Sequence, residues 1–406
     1  MFKKTFFQVH WFLGITAGLI LSLMGVTGAI YSYEQQILKW MNPDSYTVQA
    51  TQNNKLTPAE LYLHFQKQDP AIKINSITIA QEPTTSSTVN IEKEGARRGY
   101  NMMVNPYTAE VLPEVKGREF FNFIQQLHRN LTVGPVGKQI TGACTLMLIF
   151  FVLSGLYLRW PKRHSIKQWF FIKPKLKGRN FIWDLHAVVG TWVVIFYLIL
   201  ACTGLYWSYD WWRDGMFKVL GVERPQAQMQ EGPRPNTGAA QGPRGEQAGA
   251  RGGESREQGR GGGPQGEHAA RGERGQGEQH GERKGLSPEQ VQIALTQTWT
   301  GFNAQVGRDY STLTLNIPKK PDGTLELSFV DAIPQHERAR NSAVFNYQTS
   351  QIEKMELYEQ KKLNEKIMSS MLPVHRGSFF GPIYQFFAMF ASLMMPLFFV
   401  TGWMLY

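Results

Sequence analysis

The chain has 406 residues and a formal net charge of +11, with Lys and Arg outnumbering Asp and Glu by 43 to 32. Its average composition excludes few classes of protein, because very apolar stretches alternate with very polar ones. The two cysteines, Cys144 and Cys202, both fall inside apolar stretches, which excludes a disulfide framework and a Cys-x2-Cys metal site.

Taken in chain order, four apolar runs are long enough to cross a bilayer, which requires about 20 apolar residues. We predict membrane-spanning helices over residues 9–33, 137–159, 183–210 and 377–406. The predicted fold class is therefore an α-helical membrane protein with four transmembrane helices, and membrane lipid is an expected partner.

The basic residues predict the orientation of these helices. Lys3 and Lys4 precede the first helix, and the link 160–182 carries many Lys and Arg but no Asp or Glu. Positive residues accumulate on the cytoplasmic side of membranes, so the N-terminus and this link belong in the cytoplasm. Residues 34–136 and 211–376 then lie outside. Anionic headgroups account for the basic link, and no nucleic-acid partner is needed to explain the charge.

An internal repeat relates the two halves of the chain. The first and third runs share a histidine, a glycine four residues later and a Thr-Gly pair near the end: His10, Gly14 and Thr27-Gly28, and His186, Gly190 and Thr203-Gly204. The second and fourth share a His-Arg pair before the run and a Ser-Gly or Thr-Gly pair within it: His128-Arg129 and Ser154-Gly155, and His375-Arg376 and Thr401-Gly402. We interpret the chain as two duplicated helix pairs, and the small residues as close-packing positions.

The two external segments also resemble each other. Thr57-Pro58 and Ser287-Pro288 each predict the start of a helix, with a hydroxyl cap before a first-turn proline. Stretches rich in β-forming residues follow, so we predict a small α+β domain with an antiparallel sheet in each segment.

An insert of very polar composition interrupts the second segment. Residues 223–285 contain no Leu, Ile, Val, Phe, Trp or Tyr, which predicts disorder because no apolar surface is available to bury. Similar Arg-Gly-rich segments bind RNA. A position outside the membrane favours a passive linker instead.

Histidines in spanning helices are costly and indicate function. Gly14 and Gly190 lie one turn from His10 and His186, on the same helical face, where they leave room beside an axial imidazole for a flat macrocycle. The simpler alternative is a pair of interfacial histidines. If the halves are related by a pseudo-two-fold axis, His10 faces His186 near the cytoplasm, and each imidazole supplies one axial ligand of a haem.

A second pair is expected at the external end of the bundle. There His128 faces His375, and Arg129 and Arg376 are suited to the haem carboxylates, although headgroup or capping contacts explain them equally well. The sequence thus predicts two b-type haems, with cofactor and metal ligation by these four histidines. The remaining histidines are interpreted as surface residues: His64, His164, His268, His280 and His336.

In the order of these motifs the chain resembles the PepSY-associated transmembrane family, iron-regulated inner-membrane haem proteins that include ferric-siderophore reductases. The resemblance covers nearly the whole chain except the insert. It implies PepSY-like domains in both periplasmic segments and a location in the bacterial inner membrane. It also implies oxidoreductase activity, in which electrons pass from a cytoplasmic flavin or NAD(P)H-dependent donor to a periplasmic ferric siderophore or other acceptor.

Other functions stay open at this stage. A non-enzymatic PepSY module anchoring a sensor or protease regulator fits the same domains, whereas a transporter is disfavoured because the spanning helices lack charged residues at mid-depth. Some relatives continue into a flavodoxin-like, NADPH-binding reductase. Because no basic residues follow the last helix, we expect either a separate electron donor or a chain that represents the membrane half of such a reductase.

Overall fold

The computed structural model describes residues 2–161, 164–224, 286–319 and 321–405. Of the predicted disordered insert 223–285, all but the first two residues lie outside this described part. The helices and strands are numbered here in chain order over the described residues.

Four spans in the described residues are long and apolar enough to cross a membrane, as predicted. They are α1 (Phe2–Ser32), α6 (Gly134–Arg159), α8 (Gly178–Ser208) and a fourth span over Pro382–Met404. The first and third begin before the predicted residues 9 and 183, because the polar residues that precede the apolar runs also adopt helical structure. Contact with lipid follows from these helices.

The fourth span begins later than predicted and is divided in two. Gly377 and Gly381 adopt φ angles of 89° and 92°, so the helix starts only at Pro382. It consists of α13 (Pro382–Leu393) and α14 (Met395–Met404). The break falls at Met394, two residues before Pro396, which lacks the backbone N–H donor of a regular helix.

Small residues allow the spanning helices to approach closely. A Cβ added to Gly25 of α1 would clash with the carbonyl oxygen of Ser392 in α13, so only glycine fits at this crossing. Around it, Leu21, Cys144 and Tyr197 belong to one buried cluster shared by the spanning helices.

Shorter helices complete the α-helical part of the chain. They are α2 (Glu34–Met41), α3 (Pro43–Tyr46), α4 (Pro58–Gln68), α5 (Arg118–Asn130), α7 (Ile166–Phe170), α9 (Asp210–Leu220), α10 (Pro288–Val306), α11 (Leu363–Ser369) and α12 (Met371–Arg376). The predicted helix starts are confirmed, since Thr57 caps α4 and Ser287 caps α10, each within a capping box.

The strands form one seven-stranded antiparallel sheet. They are β1 (Ile74–Ala80), β2 (Ser87–Lys93), β3 (Ala96–Val104), β4 (Tyr310–Asn316), β5 (Thr324–Asp331), β6 (Arg340–Asn346) and β7 (Gln351–Glu356). Their order is β3-β2-β1-β4-β5-β6-β7.

This sheet differs from the prediction of two separate small domains. Strand β1 from the first external segment pairs with β4 from the second, with Ile77 opposite Leu315. The hydroxyls of Thr78 and Thr314 lie 2.8 Å apart across this junction. Pairing satisfies two strand edges that separate domains would each leave open, which is the physical reason for the merged sheet.

The two faces of the sheet have different partners. Helices α4 and α10 cover one face, where Leu61, Leu295 and Phe345 are almost completely buried. On the opposite face, Met103 of β3 packs with Leu38 and Phe121, which belong to the helices next to the spanning bundle. The sheet is therefore fixed directly onto one end of the bundle.

Candidate functional site

The first histidine pair lies between two spanning helices. The structure brings His10 of α1 and His186 of α8 together, with ring centroids 6.4 Å apart and an angle of 68° between the rings. Phe151 and Phe398 contact the two rings edge-on, at 5.3 Å and 5.1 Å. The pair expected from the repeat is therefore adjacent in space.

The second pair lies at the other end of the bundle, on short helices outside the spans. His128 of α5 and His375 of α12 have ring centroids 6.2 Å apart. Burial lowers the pKa of His128 and lowers that of His375 to about 3, with the charges of His128 and Arg376 contributing to the latter. Both imidazoles are therefore neutral at pH 7, the form in which histidine binds metals.

The spacing within each pair fits two imidazoles on one metal ion. A metal–imidazole bond is about 2 Å long and a ring nitrogen lies about 1.1 Å from its ring centroid, so two opposed ligands place their centroids about 6.2 Å apart. The observed distances are 6.4 Å and 6.2 Å. Among the described residues, no three His, Cys, Asp or Glu side chains cluster as a metal site. The donor sets are thus pairs of imidazoles, which suits a metal whose other ligands come from a macrocycle.

A cavity adjoins the first pair. It has a volume of about 500 Å³ and is lined by His10, His186, Gly14 and Gly190 among mostly apolar side chains. A Cβ added to Gly14 would meet no atom within 4 Å, and one added to Gly190 would meet only Phe398, at 3.7 Å. The two glycines thus border open space beside the imidazoles, as the His-x3-Gly spacing predicts, and the volume lies within the usual range for small-molecule sites.

Four hydroxyl groups contact the four histidines. Ser154 Oγ lies 2.7 Å from Nδ1 of His10, and Thr401 Oγ1 lies 2.7 Å from Nδ1 of His186. At the second pair, the threonine hydroxyls belong to α1 and α8: Thr27 lies 3.2 Å from Nδ1 of His128, and Thr203 lies 2.8 Å from Nδ1 of His375.

These hydroxyl contacts were missed by the sequence interpretation, which assigned the Ser-Gly and Thr-Gly pairs to helix packing. The available signal was their recurrence near the C-terminal end of all four spans. The adjoining glycines also approach the imidazoles: a Cβ on Gly28 would lie 2.9 Å from His128, and one on Gly204 would lie 3.4 Å from His375. A Cβ on Gly402 would meet nothing within 4 Å.

The two arginines expected to bind carboxylates have different surroundings. Arg376 is buried, donates a hydrogen bond of 3.0 Å to the carboxylate of Glu34, and lies 4.8 Å above the ring of Tyr31. Arg129 is exposed. The carboxylate that Arg376 binds therefore belongs to the protein itself, since a buried guanidinium requires a nearby anion.

The prediction of a surface position for His336 is wrong. Its side chain is buried, accepts a hydrogen bond from the backbone N–H of Arg338 and contacts the hydroxyl of Tyr358 at 2.9 Å. The hydrogen bonds offset the cost of burial, which sequence alone does not reveal. His64 bonds to Gln68 within α4, and His164 is exposed. The predicted surface residues His268 and His280 lie outside the described residues.

Comparison with known proteins places the chain in one family. No curated protein matches the sequence. The family model for the PepSY-associated TM region matches residues 7–406, nearly the whole chain. The resemblance inferred from the motifs is thereby confirmed, and the chain belongs to the PepSY-associated TM family.

Proposed function

We propose that the chain carries two b-type haems, one between each histidine pair, and passes electrons across the membrane. The observation that carries this proposal is the spacing of 6.4 Å and 6.2 Å between paired imidazoles. Bound haem supplies a one-electron ferric/ferrous couple. His10 with His186, and His128 with His375, would hold the two haems, and Gly14 and Gly190 would provide clearance beside the first pair.

The two pairs are separated along the bundle by nearly the thickness of a bilayer. Thr27, which contacts His128, follows His10 by seventeen residues in the continuous helix α1. At a rise of 1.5 Å per residue this corresponds to about 26 Å. Two redox centres held near opposite faces of the membrane support electron transfer across it rather than chemistry on one side.

The proposed orientation is supported by the distribution of basic residues. Lys3, Lys4 and the link 160–182 favour an orientation in which the first pair lies at the cytoplasmic face and the sheet in the periplasm of a bacterial inner membrane. The proposed donor is a cytoplasmic flavin or NAD(P)H-dependent reductase. The proposed acceptor is a ferric siderophore or another periplasmic oxidant, by analogy with the ferric-siderophore reductases in the family.

The proposal is tested by the absorption spectrum of the protein purified from cells supplied with haem. We expect a Soret band that shifts on reduction with dithionite, and two haems per chain by the pyridine haemochrome assay. A colourless protein would contradict the proposal and favour a non-enzymatic PepSY module that anchors a sensor or protease regulator.

The Gly14→Leu substitution should remove the haem between His10 and His186 while leaving the fold intact. A Cβ at Gly14 meets no protein atom within 4 Å, so the leucine side chain can begin in open space and occupy part of the cavity that Gly14 lines. Haem content is expected to fall from two to one per chain, with an unchanged circular dichroism spectrum. Gly215→Leu in α9 is the matched control, since a Cβ there also meets nothing within 4 Å. Full haem content in the Gly14→Leu protein would show that the macrocycle does not occupy this space.

A further inference from the structure

The hydroxyl groups at the first histidine pair each lie within hydrogen-bonding distance of a histidine and of a carbonyl oxygen in their own helix. Ser154 Oγ lies 2.6 Å from the carbonyl oxygen of Phe150, and Thr401 Oγ1 lies 2.6 Å from that of Leu397. A carbonyl oxygen carries no proton, and two oxygens 2.6 Å apart repel each other unless a proton lies between them, which favours donation by each hydroxyl to its own helix. Each hydroxyl oxygen can then only accept at the histidine.

This arrangement determines which ring nitrogen carries the proton. Because the oxygen of Ser154 accepts, Nδ1 of His10 must donate, and the same holds for Thr401 and His186. In a neutral imidazole the other nitrogen, Nε2, then holds a free lone pair. The lone pair lies on the side of the ring away from the hydroxyl.

The hydroxyls at the second histidine pair, which belong to α1 and α8, also contact carbonyl oxygens of their own helices. Thr27 and Thr203 donate to carbonyl oxygens of their own helices at 2.7 Å and 2.5 Å. Nδ1 of His128 also lies 2.9 Å from the carbonyl oxygen of Met24, which can only accept. Nδ1 is therefore the protonated nitrogen here as well.

We infer that Ser154, Thr401, Thr27 and Thr203 are positioning residues that fix the tautomer and direction of the four imidazoles, so that Nε2 is the nitrogen with which each histidine would hold a haem. The inference rests on the proposed haem function. Each hydroxyl belongs to a different chain segment from the histidine it holds, so ligand direction depends on how the helices cross. Hydrogen bonding from Nδ1–H also makes the imidazole a stronger donor, which favours the ferric state.

The test compares Thr401→Val, which keeps the side-chain volume but removes the hydroxyl, with Thr401→Ser, which retains it. In the haem-loaded protein, Thr401→Val should weaken haem binding at the His10–His186 site about 10- to 100-fold. If ferric haem loses tenfold more affinity than ferrous haem, the midpoint potential of that site rises by about 59 mV. Thr401→Ser should restore both properties, and the His128–His375 site should be unaffected.

The matched control is Thr145→Val. Thr145 is buried and donates to the carbonyl oxygen of Thr141 at 2.7 Å, and no hydrogen bond joins it to a histidine among the described residues. This control should leave both potentials unchanged. Equal effects of Thr145→Val and Thr401→Val on the potential would reduce the role of Thr401 to packing and overturn the inference.

A second measurement does not require haem. In protein from haem-deficient cells, 15N NMR of labelled histidine should show His186 protonated at Nδ1, and Thr401→Val should abolish that fixed tautomer. A Nδ1–H tautomer that persists unchanged in Thr401→Val would refute the positioning role even if two haems bind. Absence of haem in the wild-type protein would instead refute the proposed function. The NMR result would still show whether the hydroxyl of Thr401 fixes the tautomer of His186.

Discussion

Replacing both His10 and His186 by alanine should reduce the haem content from two to one per chain and stop transmembrane electron transfer. The two imidazoles are the only protein ligands proposed for the haem at this site, and removal of both leaves the cavity without an imidazole ligand. Haem content is measured by pyridine haemochrome assay. Transfer is measured as reduction of an external ferric chelate by proteoliposomes that contain an encapsulated reductant.

Two further variants make this result specific. His128→Ala combined with His375→Ala should also leave one haem, and its midpoint potential should differ from that of the haem left by the first variant. His64→Ala is the control, because the hydrogen bond of His64 among the described residues is to Gln68, within helix α4. Retention of two haems after loss of His10 and His186 would exclude this pair as ligands.

Replacing Arg376 by methionine should destabilise the protein by about 3 kcal/mol, the lower part of the range for breaking a buried ion pair. The side chain of Arg376 is 5% exposed and that of Glu34 is 22% exposed, so loss of the guanidinium leaves a largely buried carboxylate without its partner. The contact between Arg376 and the ring of Tyr31 is lost as well. Because His375 directly precedes Arg376 in the chain, the haem content at the His128–His375 site should fall too.

The comparison variants separate charge from packing. Arg376→Met combined with Glu34→Gln removes both charges and should recover most of the stability, since no uncompensated ion remains. Arg129→Met changes the exposed arginine that follows His128, and it should alter stability by less than about 0.5 kcal/mol. Thermal unfolding in detergent provides the measurement. Equal melting temperatures for Arg376→Met and Arg129→Met would show that the ion pair contributes little.

The predictions that depended on spacing along one helix agree with the structure. The apolar runs predicted the four spans, and the hydroxyl–proline pairs at Thr57 and Ser287 predicted two helix starts. The repeat also predicted which histidines would be neighbours, because equivalent residues of duplicated units meet across an axis. The prediction that His10 neighbours His186, and His128 neighbours His375, required only the repeat and no bound metal or macrocycle.

Contacts that depend on how elements cross could not be predicted in this way. The sequence shows that Ser154 and Thr401 occupy equivalent positions, but not that each hydroxyl meets a ring nitrogen on another helix. Likewise, each external segment contains enough strands for its own sheet, and only the pairing of β1 with β4 reveals that the sheets are one. The burial of His336 was also not predictable, because its side chain contacts the hydroxyl of Tyr358, twenty-two residues away in the chain.

The pairing of β1 with β4 has a mechanical consequence for the external end of the bundle. His128 comes from the half that contributes β1, and His375 comes from the half that contributes β4. Each imidazole therefore belongs to a different half of the chain. The boundary between the two halves passes between the imidazoles and also between β1 and β4 of the sheet. A force that separates the two halves would therefore act on the hydrogen bonds between β1 and β4 as well as on the distance between the two imidazoles.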